Sequence, residues 1–277
     1  MDWSLVLVSQ GIETSIERDA ESGVWLLVVT EPDHARAVDA LRRYQIENRT
    51  PLWQHRLPAV GLLFDLRSLG WLLFLGLMFA LETTGHGNWQ LLGRMDNAMV
   101  HAGQWWRLFT GVTLHADVTH LAFNLSTGLL LMGLAMGAYG YGVGLLVPYL
   151  AGVAGFLAGF VVNPAGYQSL GASGMILGAL GLLSAQWIEL FRRGFTAKQA
   201  AARGVASGCL LLVLLGFNPA ENTDVLAHVA GFVSALLLGT ALAFCPERFT
   251  RGPWPNRTAL ALTLALVLGS WWLALRR

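Results

Sequence analysis

Long apolar stretches recur along the chain from residue 68 onward. They cover residues 68–82, 115–136, 143–162, 172–188, 204–217, 225–244 and 258–275. A chain that crosses a bilayer must satisfy its backbone polar groups internally, which favours helices. A hydrocarbon core of about 30 Å needs roughly 20 residues of helix. The sequence therefore predicts an all-α polytopic membrane protein with seven spans.

The composition agrees with a membrane protein. Hydrophobic residues make up 55% of the 277 positions and charged residues 13%, about half the charged share of an ordinary soluble domain. The apolar composition makes the lipid bilayer the expected surrounding, and the formal net charge of +1 gives no support for nucleic-acid binding. Cys209 and Cys245 match no metal spacing and are predicted to be small apolar packing residues. We expect no metal and no cofactor.

The chain before the first apolar stretch has a different character. Residues 1–55 predict a small soluble α+β module, with strands at Ser4–Val8 and Val24–Val29 and a helix at Asp33–Glu47. Residues 56–67 are predicted to be a linker, and residues 68–277 the membrane domain. A module this short buries little core, so we expect it to pair with itself, with the membrane domain or with a partner.

Basic residues predict the orientation in the membrane. They cluster in two connections, at Arg192, Arg193, Lys198 and Arg203 and again at Arg248, Arg251 and Arg257. The alternate connections, residues 163–171 and 218–224, contain no Lys or Arg. Because positive residues favour the cytoplasmic side, the N-terminal module is predicted to be cytoplasmic and residues 83–113 to lie outside. That long loop, with Trp89, Trp105 and Trp106, is predicted to have structure of its own at the membrane interface.

Three of the apolar stretches carry polar groups that would be costly on a lipid-facing helix. The groups are His115, His120 and Asn124 in the second stretch, Ser173 in the fourth, and His228 in the sixth. Counted from the inner end of each stretch, Ser173, His120 and His228 lie roughly 24–28 Å along a helix. Three separate segments thus place a serine, histidines and an asparagine at one level, near the outer face.

This grouping has the parts that peptide hydrolysis by a serine requires. A serine hydroxyl becomes a good nucleophile when a neighbouring imidazole takes its proton. Donors must also face the oxyanion that develops on the substrate carbonyl. Gly171 and Gly174 keep the backbone around Ser173 open, and free amides at a helix N-terminus can donate there. Water must reach this depth, so the helices must enclose a hydrated cavity.

Each residue also has a structural interpretation. Gly-x-Ser-Gly is a common packing pattern in membrane helices. A lone histidine can be a satisfied packing residue, and Asn124 can bond to a neighbouring helix. Asp117 is predicted to cap the helix that follows it rather than to act as a third catalytic residue.

Taken together, the motifs resemble those of the rhomboid family of intramembrane serine proteases, over about residues 65–245. The matching residues are His115, His120 and Asn124, then Gly171-Ala172-Ser173-Gly174, then His228 with Gly231, and Trp106-Arg107 in the first outer loop. The resemblance implies a bundle of six transmembrane helices, to which residues 250–277 add a seventh. It also implies that Ser173 is the nucleophile, that His228 is the general base and that His120, Asn124 and the Ser173 amide form the oxyanion hole. His115 would be more structural.

The same resemblance implies substrates and a location. The expected substrates are single-span membrane proteins, cut in or near a helix that unwinds easily. The expected location is a bacterial inner membrane, with the active site open to the periplasmic side.

Two positions depart from the family pattern. The small-residue pair after the histidine is usually Gly-x-x-x-Gly, whereas this chain has Gly231 and Ala235, with Gly239 one turn further. An aromatic residue often follows the serine by one helical turn, and here that position is Leu177. Alanine still permits close packing, but leucine leaves the positioning of His228 less well defined.

Other function classes fit the sequence less well. A catalytically inactive rhomboid-like protein that binds transmembrane segments would be expected to lack Ser173 or His228. A transporter would explain buried polar groups but not a serine motif paired with a histidine. The chain contains no His-Glu-x-x-His motif for an intramembrane metalloprotease and no paired intramembrane aspartates for an aspartyl protease.

Overall fold

Each predicted apolar stretch lies largely within a helix of the computed structural model, which describes residues 2–19, 23–47, 63–84, 87–191, 197–216, 224–246 and 251–276. The chain divides into two units, Met1–Gly61 and Leu62–Arg277. Most of the predicted linker, and the basic residues Arg192, Arg193 and Arg248, lie outside the described residues, as do the side chains of Lys198 and Arg203.

The first unit contains helix α1 (Asp2–Ser9), strand β1 (Thr14–Arg18), strand β2 (Trp25–Val29) and helix α2 (His34–Glu47). The strands pair antiparallel, with Thr14 opposite Val29 and Arg18 opposite Trp25. Leu7, Ile12 and Ala37 form its small core. The predicted second strand and the helix are thus present.

The predicted strand at Ser4–Val8 is wrong, because these residues belong to α1. Leu7 is 1% exposed, whereas Leu5 is 68% exposed. One apolar side chain therefore anchors the helix in the core, and this tertiary contact overrides the strand preference of the Val-rich sequence. The true first strand, β1, is mostly polar and carries no alternating apolar pattern.

Seven longer helices lie in the described part of the second unit. These are α3 (Ser68–Thr83), α7 (Val118–Tyr139), α8 (Val143–Val162), α9 (Ser173–Phe191), α10 (Ala197–Gly216), α11 (Val225–Ala243) and α12 (Pro253–Leu275). Within the described residues, four of them, α7, α8, α11 and α12, are long and apolar enough to cross a membrane. The apolar parts of α3, α9 and α10 are shorter.

The segment between α3 and α7 has structure of its own, as predicted. It contains the short helices α4 (Trp89–Gly93), α5 (Asn97–His101) and α6 (Arg107–Thr110), and strand β3 (Met95–Asp96). Strand β3 pairs antiparallel with β4 (Gln168–Ser169), which lies between α8 and α9. This small sheet joins the loop before α7 to the loop that leads into α9.

Helix α9 occupies the centre of the bundle, packed against α7, α8, α10 and α11. Met175, Ala179, Leu182 and Ala185 are all fully buried along it. A helix that is apolar on every side suits such a position. Cys209 and Cys245, predicted to be packing residues, are instead exposed, because they lie on outer surfaces of the bundle.

Helix α12 is joined to the rest of the bundle by buried polar contacts. The Asn256 side-chain oxygen accepts hydrogen bonds from the backbone amides of Gly142 and Val143, 2.9 and 3.1 Å away, at the start of α8. Near the other end of α12, the Trp271 indole N–H donates to the Thr113 hydroxyl over 3.0 Å. The helix therefore supports both α8 and the loop that precedes α7.

Candidate active site

Ser173 is the first residue of the central helix α9. Gly171, two residues earlier, has a φ of +134°, a backbone conformation that side chains strongly disfavour. Its amide donates to the Gly111 carbonyl over 3.0 Å. A Cβ at Gly171 would also lie 2.7 Å from the His120 ring. Glycine is therefore required here for the backbone turn and for the close approach of the imidazole.

His228 lies in the first turn of α11 and is 5% exposed. Asp224 caps this helix, because its carboxylate accepts a hydrogen bond from the Ala227 amide over 3.0 Å. The His228 Nε2 atom lies 2.7 Å from the Ser173 Oγ atom. Two residues far apart in sequence thus form a hydrogen bond with the geometry of a nucleophile and its base.

Glycines permit the approach of α9 and α11. A Cβ at Gly231 would lie 2.4 Å from the Gly174 carbonyl oxygen, and one at Gly181 would lie 2.2 Å from the Phe232 carbonyl oxygen. Further along α11, Ala235 is fully buried. The alanine that departs from the family's glycine pair therefore fits within the packed interface.

His120 and Asn124 lie on one face of α7 and line the same cavity as Ser173 and His228. Asn124 is 1% exposed, and its amide nitrogen has no hydrogen-bond partner among the described residues. A buried donor without a partner is costly. Its position in a cavity beside Ser173 suits a group that receives a partner when substrate binds.

His115 lies before α7 rather than inside it, which corrects the predicted start of the second span. The helix begins at Val118 because Asp117 caps it, accepting a hydrogen bond from the His120 amide over 2.8 Å. Asp117 is thus the cap that the sequence predicted. The His115 ring is fully buried and packs edge-on against the His120 ring, with centroids 5.2 Å apart. It lies behind His120 and does not line the cavity.

Trp106 and Arg107 also lie away from the cavity lining. Arg107 is 6% exposed and donates to the Leu91 and Arg94 carbonyls, each over 2.9 Å, and to the Gln104 side chain over 2.7 Å. Burial lowers the pKa of the Arg107 guanidinium from its ordinary value, and the nearby Asp96 opposes this shift. The arginine therefore holds the backbone of the loop between α3 and α7 in place.

The cavity has a volume of about 1220 Å³ and is lined by α7, α9, α11 and the loop before α9. Leu177, one turn after Ser173, is 4% exposed and belongs to this lining, as the helical spacing predicts. Among the described residues, no three His, Cys, Asp or Glu side chains are placed to hold a metal ion.

Sequence reasoning missed a polar cluster at the edge of this cavity. The Asp224 Oδ2 atom accepts hydrogen bonds from the Tyr167 hydroxyl and from the Ser169 hydroxyl, the latter over 2.7 Å. Burial raises the pKa of the Tyr167 phenol, and the hydrogen bond to Asp224 adds to this shift. The position of Asp224, four residues before His228, was the available signal. We call Tyr167, Ser169 and Asp224 the Asp224 cluster.

Comparison with known proteins identifies the family of this chain. A model of the rhomboid domain matches residues 102–244. Rhomboid protease GluP of Bacillus subtilis (strain 168) is 35% identical over 152 residues, which is 54% of this chain but 28% of GluP. YdcA, a rhomboid-named protein from the same strain, is 30% identical over 181 residues, covering 65% of this chain and 86% of YdcA.

A plant relative extends the match. RHOMBOID-like protein 1 of Arabidopsis thaliana is 32% identical over 163 residues, covering 56% of this chain and 39% of that protein. The chain thus spans well under half the length of two of these three relatives. With its apolar helices and the matched domain, it is an integral multi-pass membrane protein. This chain belongs to the rhomboid family.

Proposed function

We propose that the protein is an intramembrane serine endopeptidase that uses Ser173 and His228 as a catalytic dyad. The observation that carries this proposal is the 2.7 Å contact between the Ser173 Oγ and His228 Nε2 atoms at the edge of a cavity within an apolar bundle. Family membership supports the same activity, since GluP is named a rhomboid protease.

The proposed reaction proceeds in two stages. Ser173 Oγ attacks the scissile carbonyl carbon while His228 Nε2 takes the hydroxyl proton. The oxyanion receives hydrogen bonds from His120, Asn124 and the Ser173 amide. His228 then gives its proton to the departing amine, leaving an acyl-enzyme. Water attacks the ester carbonyl while His228 takes a proton from that water. The ester bond then breaks as His228 returns this proton to Ser173 Oγ, which releases the N-terminal fragment with a new carboxyl group.

The proposed substrates are single-span membrane proteins cut in or near their transmembrane segments. An extended peptide must reach Ser173, which is half-buried at the start of α9. A helix that unwinds easily supplies such a segment at low cost, because its backbone amides and carbonyls must leave their partners before cleavage. The wide cavity provides room for such a segment and for a water molecule.

The proposed topology has six spans in the bundle and a seventh in α12, in a bacterial inner membrane. Residues 1–55 form a soluble cytoplasmic module in this arrangement. The distribution of Lys and Arg between alternate connections supports a cytoplasmic N-terminus and an active site that opens to the periplasmic side.

Labelling of the purified protein with a fluorophosphonate serine probe tests the function. The wild-type protein should be labelled, and Ser173→Ala and His228→Ala should not, while all three remain folded. Ser184→Ala is a matched control on α9, because this hydroxyl, as far as the described residues go, bonds only to the Leu180 carbonyl of its own helix, over 2.8 Å. Cleavage of a transmembrane reporter substrate should follow the same order, with the double mutant about as inactive as either single mutant.

Two other outcomes would overturn the proposal. Binding of transmembrane segments without labelling or cleavage would identify a catalytically inactive rhomboid-like protein. Solute transport without proteolysis would identify a transporter.

A further inference from the structure

The Asp224 carboxylate does more than a helix cap requires. One oxygen, Oδ1, accepts the hydrogen bond from the Ala227 amide that caps α11. The other, Oδ2, accepts from the hydroxyls of Tyr167 and Ser169, on the loop that precedes Ser173. The carboxylate therefore joins the start of the His228 helix to the segment that leads into the Ser173 helix.

That segment is itself held on its other side. The Asn97 amide donates to the Tyr167 carbonyl over 3.0 Å, and the Gln168 side chain donates to Asp96 over 2.7 Å. Strand β4, which contains Ser169, pairs with β3. The Tyr167 ring also packs over Gly159 of α8, where an added Cβ would lie 2.7 Å from it. These contacts hold Tyr167 and Ser169 in place, and Asp224 links the start of α11 to both residues through hydrogen bonds.

The hydrogen bond between Asp224 and Ser169 lies close in sequence to both members of the dyad. Asp224 lies one helical turn before His228, and Ser169 lies four residues before Ser173. A hydrogen bond between Asp224 and Ser169 therefore holds the residues just before His228 next to the residues just before Ser173. Hydrogen bonds to an ionised group are shorter and stronger than neutral ones. Loss of this pair would free the first turn of α11 to move away from α9.

We propose that Asp224 is a positioning residue that sets the distance between Ser173 and His228 through Tyr167 and Ser169. The expected effect of Asp224 on catalysis rests on the proteolytic function proposed above. Asp224 does not contact the reacting atoms in this role. It acts through the position of His228, and the two fixed hydroxyls are its partners.

Three substitutions separate positioning from capping. In Asp224→Ser the hydroxyl retains the N-cap hydrogen bond, since serine caps helices about as well as aspartate, but it has a single oxygen and cannot also bond to both Tyr167 and Ser169. Tyr167→Phe and Ser169→Ala each remove one hydrogen bond and leave the cap intact. Ser234→Ala is the matched control on α11, because in the part of the chain that the structure describes this hydroxyl bonds only to the Ala230 and Gly231 carbonyls of its own helix.

Turnover of a transmembrane reporter substrate is the first measurement. We expect Asp224→Ser to lower kcat by roughly 10- to 100-fold with little change in KM, since a displacement of about 1 Å can cost that much. Tyr167→Phe and Ser169→Ala should each cost less. Ser169→Ala added to Asp224→Ser should cost nothing further, because both remove the same contact. Ser234→Ala should leave kcat unchanged.

The second measurement does not depend on activity. The ¹⁵N chemical shifts of the His228 ring nitrogens, assigned by comparison with His228→Ala, report the hydrogen bond to Ser173. They should change in Asp224→Ser and stay unchanged in Ser234→Ala. Unchanged shifts in Asp224→Ser, or a fall in kcat that matches only a loss of folded protein, would overturn the positioning role. Changed shifts in a protein that cleaves nothing would leave the positioning intact and refute the protease.

Discussion

The backbone of Gly231 passes so close to Gly174 that a Cβ built at Gly231 would lie 2.4 Å from the Gly174 carbonyl oxygen. Gly174 follows Ser173 directly and Gly231 lies about one turn after His228, so this contact sets the separation of α9 and α11 beside the dyad. Gly231→Ala must push the two helices apart, at a cost of about 1–3 kcal/mol in packing. We expect turnover to fall by about 10- to 100-fold, since small misplacements of reacting groups are costly.

Turnover and thermal unfolding of the same sample check this prediction. Gly269→Ala is the control, because a Cβ at Gly269 in α12 would meet nothing within 4 Å. This second change should leave turnover unchanged and leave the protein as stable or slightly more stable, as alanine favours helices. A Gly231→Ala protein with wild-type turnover would show that helix separation does not set the geometry of the dyad.

The second prediction concerns the oxyanion donors. Removal of a main oxyanion donor typically costs on the order of 10²–10³ in kcat. Because His120 and Asn124 share this duty, His120→Ala and Asn124→Ala should each lower kcat less than Ser173→Ala does. Turnover at saturating substrate is the measurement. Ser126→Ala, an exposed position on the same helix, should be neutral. An effect on KM alone would assign both residues to substrate binding instead.

Leu177 carries the third prediction. This side chain lines the cavity beside Ser173 and is 4% exposed. Leu177→Ala should lower turnover because it loosens the packing around His228. Leu177→Phe and Leu177→Tyr should leave turnover unchanged or raise it. Contact between an aromatic ring and the imidazole contributes about 0.5–1.5 kcal/mol beyond the effect of buried area.

The control for Leu177 is Leu180→Ala on the same helix. Leu180 is equally buried at 4% exposure but does not line the cavity. Both alanine variants should lose stability, by about 2–5 kcal/mol. Only Leu177→Ala should lose turnover per folded molecule. Equal activity of the two variants would make Leu177 an ordinary core leucine.

Topology is the fourth prediction, and it follows from the Lys and Arg asymmetry. Reporter fusions should place residue 55 and residues 192–203 in the cytoplasm and residue 95 outside. The readout is the activity of reporters that work on one side of the membrane only. A cytoplasmic residue 95 would reverse the proposed orientation and open the active site to the cytoplasm.

Much of the membrane domain could be predicted because its signals are local. An apolar stretch specifies a helix by itself in lipid, and each of the seven stretches lies largely within a helix. The Ser173 and His228 motifs are short and contiguous, so they could be recognised before their 2.7 Å contact was known. The role of Asp117 as the N-cap of α7 could likewise be predicted, because this residue directly precedes an apolar stretch.

Features that depend on distant partners could not be predicted in the same way. Helix α1 is anchored by the burial of Leu7 in a core shared with Ile12 and Ala37, which no local pattern specifies. The Asp224 cluster joins residues more than 50 positions apart, and the place of Asp224 before His228 does not reveal Tyr167 and Ser169 as its partners. The short β3–β4 sheet has only two residues in each strand, too few to show a periodicity.

Helix α12 has a consequence for any attempt to prepare a smaller active fragment. A chain ended after α11 would retain every residue proposed to touch the substrate. It would lose Trp271, whose ring packs on Trp89 with centroids 5.4 Å apart and whose indole N–H satisfies the buried Thr113 hydroxyl. It would also expose the first amides of α8, which Asn256 now caps. A fragment that is to keep these contacts must therefore extend beyond the chemical centre and include the C-terminal helix.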